Sequence, residues 1–500
     1  MFQIKKSTAY LMTAIILILI ACQSPQTNNY TYPENEIPVN SSSNEAMQEF
    51  LAGLNIFDQG NAQKAKPFFD KALELDSDFV SAQMLRAFSS NSAKDFAENR
   101  DKFLAMRDKA NEGEIIWMDI ILTGMEDDDV KVLELSKKLA EKYPSSARAF
   151  DNLAGSYNSM DETEKAREHW AKAMELDTDY LPAISNLGFS YLFTSPKDFK
   201  MAEKYMEKVA EKVPQSSRAQ IDLGDCYRAQ NDLKKALASY VKAAELDSED
   251  EVALSKAGHA NSFLGNFEAA RKNFQDARAV SEFGTNSYNF EAFTYLYEGD
   301  PKKALTFLEE AVKTVDAMDI PESNKTGTKM NCTFNCAMIA MHHGDAEHLK
   351  KVVEMMKPLS AQVSQDIGSN ATTLNQKANM HFWDAMASAT AGNYDEALAK
   401  AEMIKTTLAT INDVNKLRPY HRVHAFVNYK QENYEIALEH AAKLNPDNVY
   451  DKYWMAHANK MAGNTDIAME MFNEIADNNF NSVGYALIRN EVKEMLASAE

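Results

Sequence analysis

Soft ligands gather in one short stretch: Met330, Cys332, Cys336, Met338, Met341, His342, His343 and His348. Thioether, thiol and imidazole together suit a soft metal such as Cu(I). Cys332 and Cys336, however, stand one helical turn apart at core-facing spacing, and the histidines fall at a helix end and turn. Core filling with surface histidines accounts for the set, so no metal is expected. His421 and His424, also one turn apart, make a weaker pair. With Cys226, three cysteines remain after the N-terminal Cys22, an odd number that argues against a disulfide framework. One-turn spacing also suits a disulfide poorly. All three read as small buried apolar residues. The carboxylate runs Glu126–Asp129 and Asp247–Glu251 read as solvated turns rather than acid/base pairs. No phosphate-binding loop, GxSxG, HExxH or paired CxxC is present, so neither an enzyme nor a cofactor is expected.

The elements that would position any binding residues are repeats. Gly188, Gly224 and Gly258 are each followed by a small residue (Ala202, Ala236, Ala270), a large one (Met206, Tyr240, Phe274) and a small apolar one (Val209, Ala243, Ala277). The alanines recur every 34 residues, and Ala304 extends the series. Gly53, Ala65, Phe69 and Ala72 repeat the spacing of 12, 16 and 19 near the start. Each unit reads as two amphipathic helices joined by a tight turn. Gly60-Asn61, Gly265-Asn266, Gly299-Asp300, Gly344-Asp345, Gly392-Asn393 and Gly463-Asn464 supply that turn. Glycine ends the first helix left-handed, and Asn or Asp is expected to cap the second. In five of the six, Ala lies five residues after the Gly, letting the two helices approach closely. A period in this range implies stacked supersecondary units and an extended binding surface rather than a deep catalytic pocket.

The segment Asn186-Leu187-Gly188-Phe189-Ser190-Tyr191, and Ala236 through Tyr240 to Ala243, resemble the tetratricopeptide repeat family. The terminal proline frequent in that family occurs at Pro144 and Pro214, while Ser77, Thr178 and Ser248 replace it elsewhere. The resemblance covers about residues 44–476. It implies an all-α, right-handed superhelical solenoid of about 10–12 antiparallel helix pairs, with first helices lining the concave groove. Val483 to Leu496 reads as a C-terminal capping helix. The body divides at a soft boundary into a regular array over 44–284 and a less regular one over 285–500. In the latter, Asp316–Thr328 and Leu359–Thr373 read as inserted connections.

In this register the concave face presents Arg148, Asp151, Asn152, Asn158, Asn186, Arg218, Asp225 and Arg228. Asn both donates and accepts, so a ladder of Asn can hold an extended peptide's backbone, and an Arg fork can hold a carboxylate. The resemblance implies such a peptide role for Asn152 and Asn186. Arg148 and Arg218 only partly match a carboxylate clamp, because the usual neighbouring Lys is absent and Asp222 stands where a third Asn is usual. Farther along, the face becomes aromatic: Phe293, Tyr297, Phe334, Phe382, Phe426 and Tyr429, with Met338, Tyr450 and Tyr453. A stripe at helical spacing reads first as core. Exposed, it would grip an amphipathic helix or stack on a sugar ring.

The N-terminus sets the expected location. Lys5 and Lys6 precede an apolar stretch from Ala9 to Ala21, too short to span a bilayer as a mature helix. Leu19-Ile20-Ala21-Cys22 resembles the lipobox of bacterial lipoproteins. That resemblance implies cleavage of a signal peptide (1–22) before Cys22, acylation of Cys22 and anchoring in the cell envelope. Gln23 in place of Asp fits outer-membrane retention under the enterobacterial sorting rule. Two or more acyl chains anchor stably where one does not, at ~0.8 kcal/mol per buried methylene. Residues 23–43, rich in Asn, Pro and Ser, read as a flexible tether. Fifty-three basic against 74 acidic side chains, a net charge of −21, disfavour nucleic acid as a partner. The reading is a non-enzymatic, lipid-anchored scaffold for protein or peptide partners. An outer-membrane glycan- or nutrient-binding lipoprotein is the alternative.

Overall fold

The computed structural model describes residues 31–285 and 287–498, so Cys22 and the N-terminal apolar stretch lie outside the described residues. Twenty-five helices follow one another, with no strand among the described residues. The first three pairs are α1 (Asn44–Asp58) and α2 (Ala62–Leu75), α3 (Val80–Phe88) and α4 (Ala93–Leu104), α5 (Glu112–Met125) and α6 (Asp129–Lys142). Next come α7 (Ala147–Ser159) and α8 (Thr163–Leu176), α9 (Leu181–Phe193) and α10 (Phe199–Lys212), α11 (Ser217–Ala229) and α12 (Leu233–Leu246). Then α13 (Glu251–Phe263) and α14 (Phe267–Val280), α15 (Tyr288–Tyr297) and α16 (Pro301–Asp316), α17 (Glu322–His342) and α18 (Ala346–Ile367). The last are α19 (Asn370–Thr390) and α20 (Tyr394–Thr407), α21 (Arg418–Lys430) and α22 (Tyr434–Ala441), α23 (Val449–Met461) and α24 (Thr465–Ala476), closed by α25 (Val483–Ala497). Twelve pairs and a cap make the all-α superhelical solenoid expected from the repeat.

Within a pair, the recurring glycine leaves room for the recurring large residue. A Cβ at Gly258 would stand 2.6 Å from the Phe274 ring, and one at Gly53 would stand 2.9 Å from the Phe69 ring. Such approaches are closer than real side chains make, so the 16-residue Gly-to-aromatic spacing is a steric requirement. Ala65, Ala270, Ala304, Ala397 and Ala468 are all fully buried at the same interface. The turn glycines adopt positive φ as expected, from 72° at Gly344 to 88° at Gly463. Capping is mixed. Asp300 and Asp345 accept from the backbone of the second helix. Asn61, Asn266, Asn393 and Asn464 make no such bond. Asn266 and Asn464 instead donate to Asn261 and Asn459, five residues back.

Two expectations need correction, while the first reading of the aromatic stripe as core holds. Part of the presumed tether is docked: Ile37 is fully buried against Gly113, where a Cβ would stand 2.5 Å from its Cγ2. Beside it Glu36 caps α7, accepting from Ser146 Oγ (2.5 Å), Ala147 N (2.9 Å) and Arg148 N (3.3 Å). A carboxylate at a helix N-terminus satisfies orphan donors and meets the positive end of the helix dipole. The two inserted connections are mostly helical. They lengthen α17, α18 and α19 to 21, 22 and 21 residues, with Pro358 inside α18. The aromatic stripe is largely core: Phe293, Tyr297, Phe382 and Phe426 are buried, together with Tyr450 and Tyr453. They belong to one continuous core running from Phe263 to Val492, in which α25 itself takes part.

The superhelix stacks on itself. Lys64, after the turn of the first pair, pairs with Asp247 between the sixth and seventh pairs. Asn91 donates to Glu282 at 2.8 Å and accepts through its carbonyl from Asn324. Asp127 meets Asn375 and Asn412, Asp161 pairs with Arg418 at 2.6 Å, and Asp447 accepts from Ser195 at 2.7 Å. Asn231 accepts from Asn479 at 3.1 Å. Turns inside successive pairs of one superhelical turn thus rest on the segments that link pairs in the next. Asp127, Asp161 and Asn231 carry positive φ (51°, 59° and 62°) where other pairs use glycine. Asp and Asn tolerate that region better than most residues, and here the side chain a glycine lacks reaches the neighbouring turn.

Candidate concave binding site

Two connected hollows lie on the inner face. A cleft of about 410 Å³ is lined by Arg148, Asp151, Asn152, Asn186 and Arg218, with Phe57, Phe88, Trp117, Tyr180 and Phe189 as apolar walls. A chamber of about 1070 Å³ continues from it past Gly60 and Arg218 to Arg228, Lys256, His259 and Phe480. Five of the eight expected groove residues therefore share one cleft. Arg228 borders the chamber, Asp225 lies behind it, and Asn158 is exposed at the end of α7 away from both.

The members of the cleft are not equally available. Arg148 forms a two-pronged pair with Asp58 and covers the Tyr180 ring at 5.0 Å. Asp58, the last residue of α1, supplies this counter-ion from another repeat, which removes Arg148 from the expected carboxylate clamp. Asp151 is consumed as well, accepting from Trp170 Nε1 (2.9 Å), Tyr180 Oη (3.1 Å) and Asn186 Nδ2 (2.9 Å). Burial pushes its carboxyl up, against the pull of those three donors. Asn152 accepts from Ser136 Oγ at 2.8 Å. The Nδ2 of Asn152 and the Oδ1 of Asn186 have no protein partner among the described residues, leaving one donor and one acceptor on the cleft wall.

Arg218 remains a third exposed and has one close anion, Asp222, at 2.9 Å. The Asp222 Oδ1 is buried without an aligned hydrogen bond. Burial raises the Asp222 carboxyl to about 6, opposed by Arg218 and reinforced by Asp225. Asp225 is different. Burial pushes it up, but Lys256 (2.6 Å) and Arg228 (2.9 Å) outweigh that and hold it far below the usual carboxylate range. Tyr240 Oη donates to the same carboxylate at 2.6 Å. Asp225 and Arg228 are thus members of a buried ion cluster that braces α11 against α12 and α13.

Of the aromatic set, Phe334 is 38% exposed and packs edge-on against Trp383, while Tyr429 is half-buried beside Trp454. The others are covered and offer no stacking platform. The soft-ligand residues are dispersed too. Cys332 and Cys336 are buried, burial pushing the Cys332 thiol up to about 12. His342 binds Tyr450 and Glu491, while His348 faces Glu309. Among the described residues no group of three or more His, Cys, Asp or Glu side chains could hold a metal ion. No helix among them is long and apolar enough to cross a membrane.

Sequence reasoning missed Trp117 and Tyr180 as cleft walls, and His259 and Phe480 in the chamber. His259 lies one residue after Gly258 on a concave helix, a position the repeat phase marks. Phe480 lay outside the repeat and had no such signal.

Comparison with known proteins places repeats within this frame. Residues 50–79 and 198–251 each match the tetratricopeptide repeat family. The anaphase-promoting complex subunit CDC16 of Saccharomyces cerevisiae is 24% identical over 204 residues, covering 41% of this chain and 24% of that protein. Anaphase-promoting complex subunit 3 of Schizosaccharomyces pombe is 24% identical over 196 residues, covering 36% and 29%. The chain thus spans about a quarter of the length of the curated relatives it matches. Among solved structures, YrrB, described as a TPR protein with an unusual peptide-binding site, is 24% identical with a TM-score of 0.27, covering 36% of this chain and 91% of that one. PilW, described as a type IV pilus biogenesis factor, is 15% identical with a TM-score of 0.35, covering 42% and 97%.

Proposed function

We propose that this chain, which carries tetratricopeptide repeats, is a non-enzymatic scaffold that takes an extended peptide segment of a protein partner into the cleft between Trp117 and Phe189. One observation carries the reading: the unpaired donor of Asn152, the unpaired acceptor of Asn186 and the exposed Arg218 line one apolar-walled cleft. The two amides match a peptide's carbonyl and N–H, and Arg218 matches a carboxylate on the same ligand. Lipid attachment at Cys22 would hold this scaffold at a bacterial membrane, the outer membrane by the residue that follows. Burial of Phe293, Phe382 and Phe426 leaves only Phe334 and Tyr429 of that stripe open to a sugar ring, which weighs against the glycan alternative.

The test uses fluorescein-labelled pools of random decapeptides, one with free and one with amidated C-termini, titrated against the mature protein by anisotropy. Arg218→Glu is expected to weaken the free-carboxylate pool about tenfold and the amidated pool little, a loss of ~1.4 kcal/mol. Asn152→Ala and Asn186→Ala are expected to weaken both pools. Binding unchanged in all three variants overturns the reading. Mass spectrometry of membrane-extracted protein tests anchoring, with acyl groups expected on Cys22 and release of Cys22→Ser into the soluble fraction.

A further inference from the structure

The concave face beyond the cleft already holds a peptide, and it belongs to this chain. Between α24 and α25 the residues Asn478–Ser482 run without helical structure into the chamber. The Phe480 ring meets Phe193 edge-on at 5.0 Å and lies under the Arg228 guanidinium at 4.7 Å. On one side Asn479 donates to Asn231 at 3.1 Å. On the other, Asn481 bridges two groove residues, its Oδ1 accepting from Tyr297 Oη at 2.6 Å and its Nδ2 meeting His259 Nδ1 at 2.8 Å. Burial, with Arg228 and Lys256 nearby, keeps His259 neutral, so its Nδ1 accepts that bond. Phe193, Arg228, His259 and Tyr297 come from four successive first helices, α9, α11, α13 and α15, and Asn231 from the turn after α11.

We infer that these residues form a second peptide site, selective for an aromatic side chain flanked by carboxamides, and that Asn479-Phe480-Asn481 occupies it in cis as a mimic of a partner segment.

Three features separate this contact from ordinary core packing. The segment is held to the groove through side chains alone. Phe480 is half-buried rather than enclosed, and it borders the chamber of about 1070 Å³, which gives an incoming segment room beside it. Most tellingly, Arg228 is only 2% exposed, yet its Nε and Nη1 have no hydrogen-bond partner. A buried guanidinium left short of acceptors is costly. A carbonyl of a bound segment would satisfy what the Phe480 ring only covers by cation–π attraction. A segment joined to the same chain competes intramolecularly with a free peptide, so the seat is largely occupied in the wild type.

The proposal deepens the peptide-binding reading but uses different residues. Its failure leaves the tests at Asn152, Asn186 and Arg218 untouched. The probe is a fluorescein-labelled peptide Asp-Asn-Asn-Phe-Asn-Ser, with a control carrying Ala for Phe, titrated against the full chain. Phe480→Ala is expected to bind the probe about tenfold tighter than the wild type, because the competent fraction rises. The control peptide should bind neither protein, and Asn231→Ala in the Phe480→Ala background should abolish the gain. Equal affinity of wild type and Phe480→Ala for the probe, or equal uptake of the control peptide, overturns the proposal. Should Phe480→Ala fail to fold by circular dichroism, Asn481→Ala replaces it. That variant keeps the ring, loosens the cis segment and should still bind the probe more tightly, and no gain there overturns the proposal equally. A shift to dimers without probe uptake would mean exchange between copies instead of a partner, and also overturns it.

Discussion

Asp222 shows how one buried carboxyl can govern a binding arginine. With its carboxyl raised to about 6, it is anionic at pH 7.5 and then neutralises Arg218, 2.9 Å away. Below pH 6 it gains a proton, and Arg218 loses its internal counter-ion. A peptide carboxylate, with an ordinary value of about 3.5, is still ionised at pH 5. Affinity for free-carboxylate peptides is therefore expected to rise between pH 7.5 and 5. Asp222→Asn should bind at pH 7.5 as the wild type does at pH 5, with a flat profile by anisotropy. A wild-type profile that falls toward pH 5 refutes this role. Glycine at a first-helix position gives a second residue-scale expectation. Gly258→Ala drives a methyl into Phe274 and should destabilise by about 1–3 kcal/mol in denaturant unfolding. Phe274→Leu should recover part of that loss in the double variant.

The helix pair was legible in the sequence because its determinants are local. Gly258 and Phe274 lie 16 residues apart, and the turn glycine and the alanine after it lie within one turn region. What joins distant elements was not legible. Residues 31–43 have loop composition and no period, and two side chains dock them: Ile37 fills the space above Gly113, and Glu36 caps α7. The long helices α17 to α19 were hidden for a related reason. Residues 316–328 and 359–373 read as connections, whereas Pro321 stands just before a helix, Pro358 is absorbed within one, and Gly368 caps its end. The eight groove residues split the same way. The cleft placement of five of them followed from repeat phase, but Asp58, which occupies Arg148, and Tyr180 and Asn186, which help hold Asp151, arrive from other repeats. The docked arm is an integral element, so Ile37→Ala should cost about 2–4 kcal/mol, read as a lower urea midpoint. A midpoint equal to wild type would return residues 31–43 to the role of a loose tether.

At the scale of the molecule, the stacked superhelical turns make a structure more compact than an open spiral of twelve pairs. Many of the contacts that stack them are polar and involve turns, as Asp127 with Asn375, Asp161 with Arg418 and Asp447 with Ser195, while α4 also packs against α18. Surface ion pairs are individually worth roughly 0–1 kcal/mol, so no single one holds the stack. Reversing several charges should loosen it without unfolding the pairs. Arg418→Glu combined with Asp447→Lys is expected to raise the radius of gyration in small-angle X-ray scattering while the helical circular dichroism stays constant. An unchanged radius would place the hold elsewhere, in the shared core of α25.

Solenoids ordinarily gain or lose units freely, since each touches only its neighbours. The spacing of Asp127, Asp161, Ser195 and Asn231 against Asn412, Arg418, Asp447 and Asn479 withdraws that freedom here. Duplicating one hairpin anywhere between them would slide one set past the other by a whole unit, leaving every cross-turn partner facing a stranger. The number of hairpins in this chain is therefore counted by its own geometry, and lineages that keep this architecture should vary in loop and side chain long before they vary in length.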